Sequence, residues 1–138
     1  MQLVFEGHAC FTVIVNGVNI LIDPYISENP RCQKQPEDFH PDLILVTHGH
    51  NDHLGDALTI ARNSGATLVA QVDLLNALDT HGIGTVGMNT GGRVIIKGVP
   101  IIMTQAIHGN SLTDNGRVLP LSLIHICNLS LFIVRILD

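Results

Sequence analysis

Four side chains of metal-binding type fall within six positions, at His48, His50, Asp52 and His53. They follow a run that reads as a buried strand, Asp42 to Thr47, and precede one that reads as a helix, Gly55 to Ser64. Side chains repeat every second residue in extended backbone, so His48 and His50 project to the same side. Asp52 and His53 fall where the chain turns into the helix and can serve a second point nearby. Neutral imidazole and carboxylate are ligands for zinc, manganese and iron, and this spacing suits two ions better than one. A lone histidine at a strand end is ordinarily polar surface. Four ligand-type residues flanked by Gly49 and Gly55, which permit tight backbone approach, argue for a metal centre instead.

His48-Gly49-His50-Asn51-Asp52-His53 fits an HxHxDH signature, and on it the chain resembles the metallo-β-lactamase fold. More narrowly, it is similar to small metal-dependent hydrolases related to L-ascorbate-6-phosphate lactonase. Gly7-His8-Ala9-Cys10-Phe11, Ile20-Leu21-Ile22-Asp23-Pro24, Asn89-Thr90-Gly91-Gly92 and Ala106-Ile107-His108 support this in the expected order. The similarity runs from about Met1 to Pro120. It implies an α/β fold, the αββα sandwich, cut to roughly its N-terminal half. It also implies that His48, His50 and His108 hold one divalent ion and that Asp52 and His53 hold a second. Zinc is the first candidate, manganese or iron the alternatives. A water activated by the ions would then hydrolyse a small ester, lactone or phosphate ester, with Asp52 orienting that water or taking its proton. On spacing alone His108 also reads as an exposed loop histidine. Asp23 stands either beneath the metal loop, as the resemblance implies, or in an Asx-turn. The role of His8 stays open.

The elements that must position these groups alternate between strand and helix. Cys10 to Val15 and Val18 to Asp23 are apolar, β-branched runs joined by Asn16-Gly17, a strong signal for a type I′ hairpin. Tyr25 to Pro41, punctuated by prolines, reads as a loop bordering the site, with Cys32 and His40 incidental. Thr67 to Ala70 reads as a buried strand and Val72 to Leu78 as a helix, with His81 at its C-terminal end as a dipole partner. Gly87 to Gly92 reads as a connector. Arg93 to Lys97 and Pro100 to Gln105 read as strands around Gly98-Val99, the second delivering His108. Thr113 to Arg117 reads as a hairpin turn, with Val118 and Leu119 opening the next strand. The order indicates an α/β layer rather than an all-β barrel.

A chain of 138 residues with 46% hydrophobic content can bury one core. Mean hydropathy is +0.34, yet no apolar run approaches the roughly 18 residues that span a membrane. The first residues lack a signal-peptide pattern. Net charge is −5 without a Lys/Arg cluster, which argues against nucleic acid and anionic membranes as partners; a small-molecule substrate is what the resemblance implies. Three scattered cysteines suit reduced thiols in a cytoplasm. No Gly-x-Ser-x-Gly elbow offers a serine nucleophile.

Leu121 to Asp138 breaks the resemblance. Leu121-Ser122-Leu123-Ile124-His125-Ile126 is the translation of a transposon end used in sequencing-library adapters, so residues 121–138 read as a non-native tail. The competing reading is a natural variant whose tail forms an edge strand. The bridging aspartate and final histidine implied by the resemblance find no match in this sequence. That leaves three functional readings. One is a hydrolase, judged from the parent gene. Another is a metal-binding fragment without activity. The third is a domain that self-associates, or recruits its other half, through exposed sheet surface.

Overall fold

The computed structural model describes residues 1–114 and 117–120. Its first three strands, β1 (Gln2–Gly7), β2 (Cys10–Val15) and β3 (Val18–Ile22), form an antiparallel meander. Asn16 (φ 52°) and Gly17 (φ 79°) both take the positive φ of a type I′ turn, as their dipeptide predicts. β1 carries three consecutive apolar residues, Leu3 to Phe5, with no alternation to mark it as a strand, and it is fixed by its antiparallel pairing with β2.

From β3 onward the pairing is parallel. β4 (Leu43–Leu45), β5 (Thr67–Gln71) and β6 (Thr85–Met88) complete a six-stranded sheet in the order β1-β2-β3-β4-β5-β6. The connections carry α1 (Asn51–Leu54) and α2 (Ala57–Ser64) between β4 and β5, and α3 (Val72–Ala77) between β5 and β6. Between β3 and β4 runs the expected loop, whose only helical turn is a 3-10 turn at Pro36–Asp38. β7 (Arg93–Ile96) pairs with β8 (Val99–Ile102), and β9 (Ser111–Asp114) with β10 (Arg117–Pro120).

The helices cover one face of the sheet. Leu21, Ile44, Val46, Leu68 and Ala70 pack there against Ala57, Ile60 and Ala61 of α2 and Leu74 and Leu75 of α3. On the other face Val13, Ile20, Ile22, Leu43, Leu45 and Val69 pack against Val99 and Ile101 of the β7–β8 hairpin. The result is helix, sheet, second sheet layer: the α/β sandwich expected, in its N-terminal portion. Complete burial of an aliphatic side chain contributes about 1.5–3 kcal/mol, so the sealed Ile20, Leu43 and Ile44 (each 0% exposed) anchor the central strands.

Several boundaries differ from the sequence reading. The helix expected from Gly55 begins at Ala57, because Gly55 (φ 43°) ends α1 with its Cα against the preceding loop; a Cβ there would lie 2.5 Å from the Pro24 carbonyl oxygen. Gly87 and Met88 finish β6 rather than opening a connector. A Cβ on Gly87 would lie 2.9 Å from Val72 Cγ2, so close packing of α3 explains a glycine inside a strand. α3 ends at Ala77, and His81 lies beyond it in a turn where its backbone N–H meets Asp79, so it is no dipole partner. The β7–β8 turn is Lys97-Gly98 (φ 51° and 79°), one residue earlier than expected. Thr113, Asp114 and Arg117, expected in a turn, lie in β9 and β10 instead, with Asp114 paired to Arg117. The tail reading for residues 121–138, with Cys127, lies outside the described residues.

Candidate metal centre

The carboxyl ends of β3, β4 and β5 lie side by side, and each delivers a polar residue to the same edge of the sheet: Asp23, Thr47-His48 and Gln71. In open α/β sheets this edge is where ligands bind. Asp23 is only 2% exposed. Its Oδ1 accepts the Thr47 backbone N–H at 2.7 Å, and its Oδ2 accepts the Thr47 hydroxyl at 2.7 Å and His53 Nδ1 at 2.8 Å. Asp23 therefore stands beneath the metal loop, and the alternatives left open by the sequence resolve in that direction. Burial pushes its carboxyl above the ordinary value, against the pull of the His53 and Thr47 hydrogen bonds.

Two of the rings, His48 and His53, are oriented through one nitrogen. His48 Nδ1 lies 2.9 Å from the Thr47 hydroxyl, which turns Nε2 toward His50 Nδ1 at 2.9 Å. His53 gives Nδ1 to Asp23 and keeps Nε2 for the site. A carboxylate or hydroxyl behind a histidine in this way fixes the tautomer that a metal requires. Burial, then the neighbouring His53, His50 and His108, lower the His48 pKa to about 3. Burial and His108 lower that of His50. Both rings are neutral at physiological pH, the form that ligates. Partial burial pushes the Asp52 carboxyl up, but its own backbone N–H and the adjacent His53, His8 and His48 more than reverse this, leaving it below the usual range.

Two groups of donors result. The ligand atoms of His48, His50 and His108 all lie within 4.8 Å of one another, and so do those of His8, Asp52 and His53. The groups adjoin, with the His48 and His53 rings 4.1 Å apart between centroids. His108, exposed beyond β8, brings its ring to 4.8 Å from His48 and 5.1 Å from His50. All five residues singled out by the sequence are thus brought together. The donor set fits a divalent metal: several imidazoles, two of them (His48 and His53) with Nδ1 anchored, and one carboxylate, gathered in two adjoining groups.

Sequence reasoning missed the supports. Asn110, buried, accepts the Gly49 N–H at 3.0 Å and donates to Gln71 Oε1 at 3.3 Å, joining the metal loop to the His108 segment. Asp56 accepts the Ile26 and Ser27 backbone N–H groups at 3.0 and 2.8 Å and the Ser27 hydroxyl at 2.6 Å. That fastens the loop after β3 to the α1–α2 junction. These residues carry no local pattern, since their partners are distant in sequence. His8 stood in a noted stretch, but nothing in sequence places the β1–β2 turn beside Asp52. A cleft of about 370 Å³ opens next to His8, lined also by Phe5, Tyr25, Asn29, Pro30 and Arg31.

The sequence pattern of the beta-lactamase superfamily domain matches residues 18–124. Among curated relatives, the chain is similar to a UPF0173 metal-dependent hydrolase of Methanopyrus kandleri, 42% identical over 86% of this chain and 52% of that protein. It is similar to another from Methanosphaera stadtmanae, 45% identical over 81% of this chain and 49% of that one. The chain spans about half the length of these relatives. Among solved structures it resembles Igni18, a metallo hydrolase from Ignicoccus hospitalis (TM-score 0.71, 35% identity, 86% of this chain, 52% of that chain). A putative metal-dependent hydrolase from Parabacteroides distasonis shares the fold (TM-score 0.60, 24% identity, 75% of this chain, 44% of that chain).

Proposed function

The chain belongs to the beta-lactamase superfamily domain family, and from that premise we propose that it carries the metal-binding half of a hydrolase for a small ester, lactone or phosphate ester. The observation that carries the reading is the pair of adjoining donor groups at the carboxyl edge of the sheet, with His48 and His53 in ring contact. His48, His50 and His108 hold one divalent ion; Asp52 and His53 contribute to a second. Zinc is the ion we favour, since three imidazoles form a preferred zinc ligand set. When bound, the ions supply a polarising charge for the scissile oxygen and make water acidic enough to attack near neutral pH.

The chain's own side chains do the rest. Thr47 and Asp23 hold the His48 and His53 rings in their ligating tautomers. Asp52, ionised and half exposed, orients the attacking water or takes its proton. Cys10 offers no competing nucleophile, because it is sealed in the core and burial raises its thiol pKa. The cleft beside His8 suits a small ligand, and Arg31 among its lining residues suits an anionic substituent. A substrate bearing a phosphate, as in the lactonase-like group, is consistent with that wall. Free Cys10 and Cys32 favour a reducing, cytoplasmic setting. No helix among the described residues is long and apolar enough to cross a membrane. We retain residues 121–138 as a non-native tail, a reading that resequencing the locus tests.

The test is metal content followed by hydrolysis. Purified chain should take up zinc, and replacing His48 and His50 together by alanine should abolish binding at the first centre. The chain, alone and joined to the C-terminal half of the Methanopyrus relative, is then assayed with a small ester, a lactone and a phosphate ester. Hydrolysis that chelator removes and zinc restores supports the proposal. Unchanged zinc content in the double variant overturns the metal assignment. Zinc binding without turnover in either form leaves the second reading, a metal-binding protein without hydrolase activity.

A further inference from the structure

The geometry points to His8 as the third protein ligand of the second metal position, so that this centre is held by His8, Asp52 and His53. The inference rests on the metal reading above and deepens it. His8 Nε2 lies 3.1 Å from Asp52 Oδ2, and its ring stands 5.3 Å from that of His53. The donors of all three lie within 4.8 Å of one another, as do those of the His48, His50, His108 group. His53 has already given Nδ1 to Asp23. That leaves Nε2 as the nitrogen His53 can offer beside His8 and Asp52.

The turn that carries His8 is shaped to deliver it. His8 takes φ 53°, a conformation that L-residues adopt at a cost and that recurs at ligand clamps. Gly7 packs so closely on the loop after β3 that a Cβ would lie 2.9 Å from Asn29 Nδ2 and 3.1 Å from Arg31 Cβ. The His8 ring meets Tyr25 edge-on at 5.7 Å. An exposed histidine–aspartate pair by itself contributes little. A pair that shares a third ligand atom, on a strained turn wedged against its neighbour, is better explained as a metal position. Its consequence is that each centre draws three protein ligands from within residues 8–108. Because His8 also walls the cleft, a molecule lying there meets the second centre directly.

The experiment uses the full 138-residue chain, stripped with chelator and titrated with zinc, with bound metal counted by mass spectrometry. Wild type should bind two equivalents and His8→Asn one. Asparagine tolerates the left-handed backbone, and an unchanged melting temperature of the metal-free variant verifies its fold. His81→Asn, a distant exposed histidine, should still bind two. Carbethoxylation of wild type gives a reading free of any variant: His8 should react when metal-free and be protected by the second equivalent. Two equivalents in His8→Asn, one in wild type, or undiminished labelling of His8 would each overturn this inference and leave the first centre standing. No zinc bound by wild type at all would overturn the metal reading beneath it.

Discussion

Asp23→Asn separates the role of the buried carboxylate in folding from its role in ligation. The amide is nearly isosteric and tolerates the φ of 44° at this position, so the backbone need not move. Its carbonyl can still accept the Thr47 N–H. Its NH2 group, placed where Oδ2 was, then faces both the Thr47 hydroxyl and His53 Nδ1. The hydroxyl can rotate to accept. His53 can accept only by moving its proton to Nε2, the nitrogen the second metal needs. One charge-assisted hydrogen bond is lost and one ring is held in the wrong tautomer. The first effect costs roughly 1.5–3 kcal/mol of stability. The second should weaken the His53 centre by about 10–100-fold, equivalent to about 1.4–2.8 kcal/mol. Competition with a chromophoric chelator measures affinity at each centre, and thermal melting of the metal-free protein measures stability. The His48, His50, His108 centre should change far less. Unaltered affinity at the second centre with an unaltered melting temperature would refute the claim that Asp23 sets the His53 tautomer.

Gly55→Ala should destabilise by more than about 2 kcal/mol and weaken the second centre too, because its Cβ would lie 2.5 Å from Pro24 O and 2.7 Å from Tyr25 Cα; chemical denaturation checks this, with Gly17→Ala, which meets nothing within 4 Å, the milder control. Lys97 and the Asn19 N–H hold Asp42 below its usual pKa, so its stabilising effect is complete above the unfolded value of about 4 and vanishes as pH falls through the lower folded value. Asp42→Asn should accordingly lower the melting temperature at neutral pH, and the gap from wild type should close in acid. Leu3 and Phe5, 62% and 56% exposed, continue the second-sheet face of the sheet past the reach of the β7–β8 hairpin. We expect the chain to self-associate there, and Leu3→Lys with Phe5→Lys to shift light scattering toward monomer; unchanged mass would place any association elsewhere.

Much of this was legible in the sequence because it depends on local period or turn chemistry. Asn16-Gly17 set a hairpin, the aliphatic run before Thr47 set a buried strand, and HxHxDH set residues of two adjoining donor groups. What stayed hidden depends on contacts between distant residues. Gly55 resembles a helix start until the Pro24 carbonyl is seen above it. The strand Thr85–Met88 contains a glycine that looks like a breaker until Val72 is seen against it. His8 resembles any polar turn residue until β1 and β2 fold it over Asp52.

The Asp23–Thr47 link bears on strand register as well. β4 has only three residues, Leu43, Ile44 and Leu45, all buried. Both faces of the strand are therefore equally apolar, and alternation of polarity, which normally forbids a one-residue slip, gives no guidance here. Polar couples at the two ends do so instead. Asn19 and Asp42 exchange bonds at the start of the β3–β4 pair, and Asp23 grips Thr47 at its finish. Slipped by one residue, the strands would pair their aliphatic side chains almost as well but would carry His48 and His53 away from their anchors. A bound ion would then act as a proofreader, rewarding only the alignment in which both couples close, and chelated protein should refold to a broader set of alignments than metal-loaded protein.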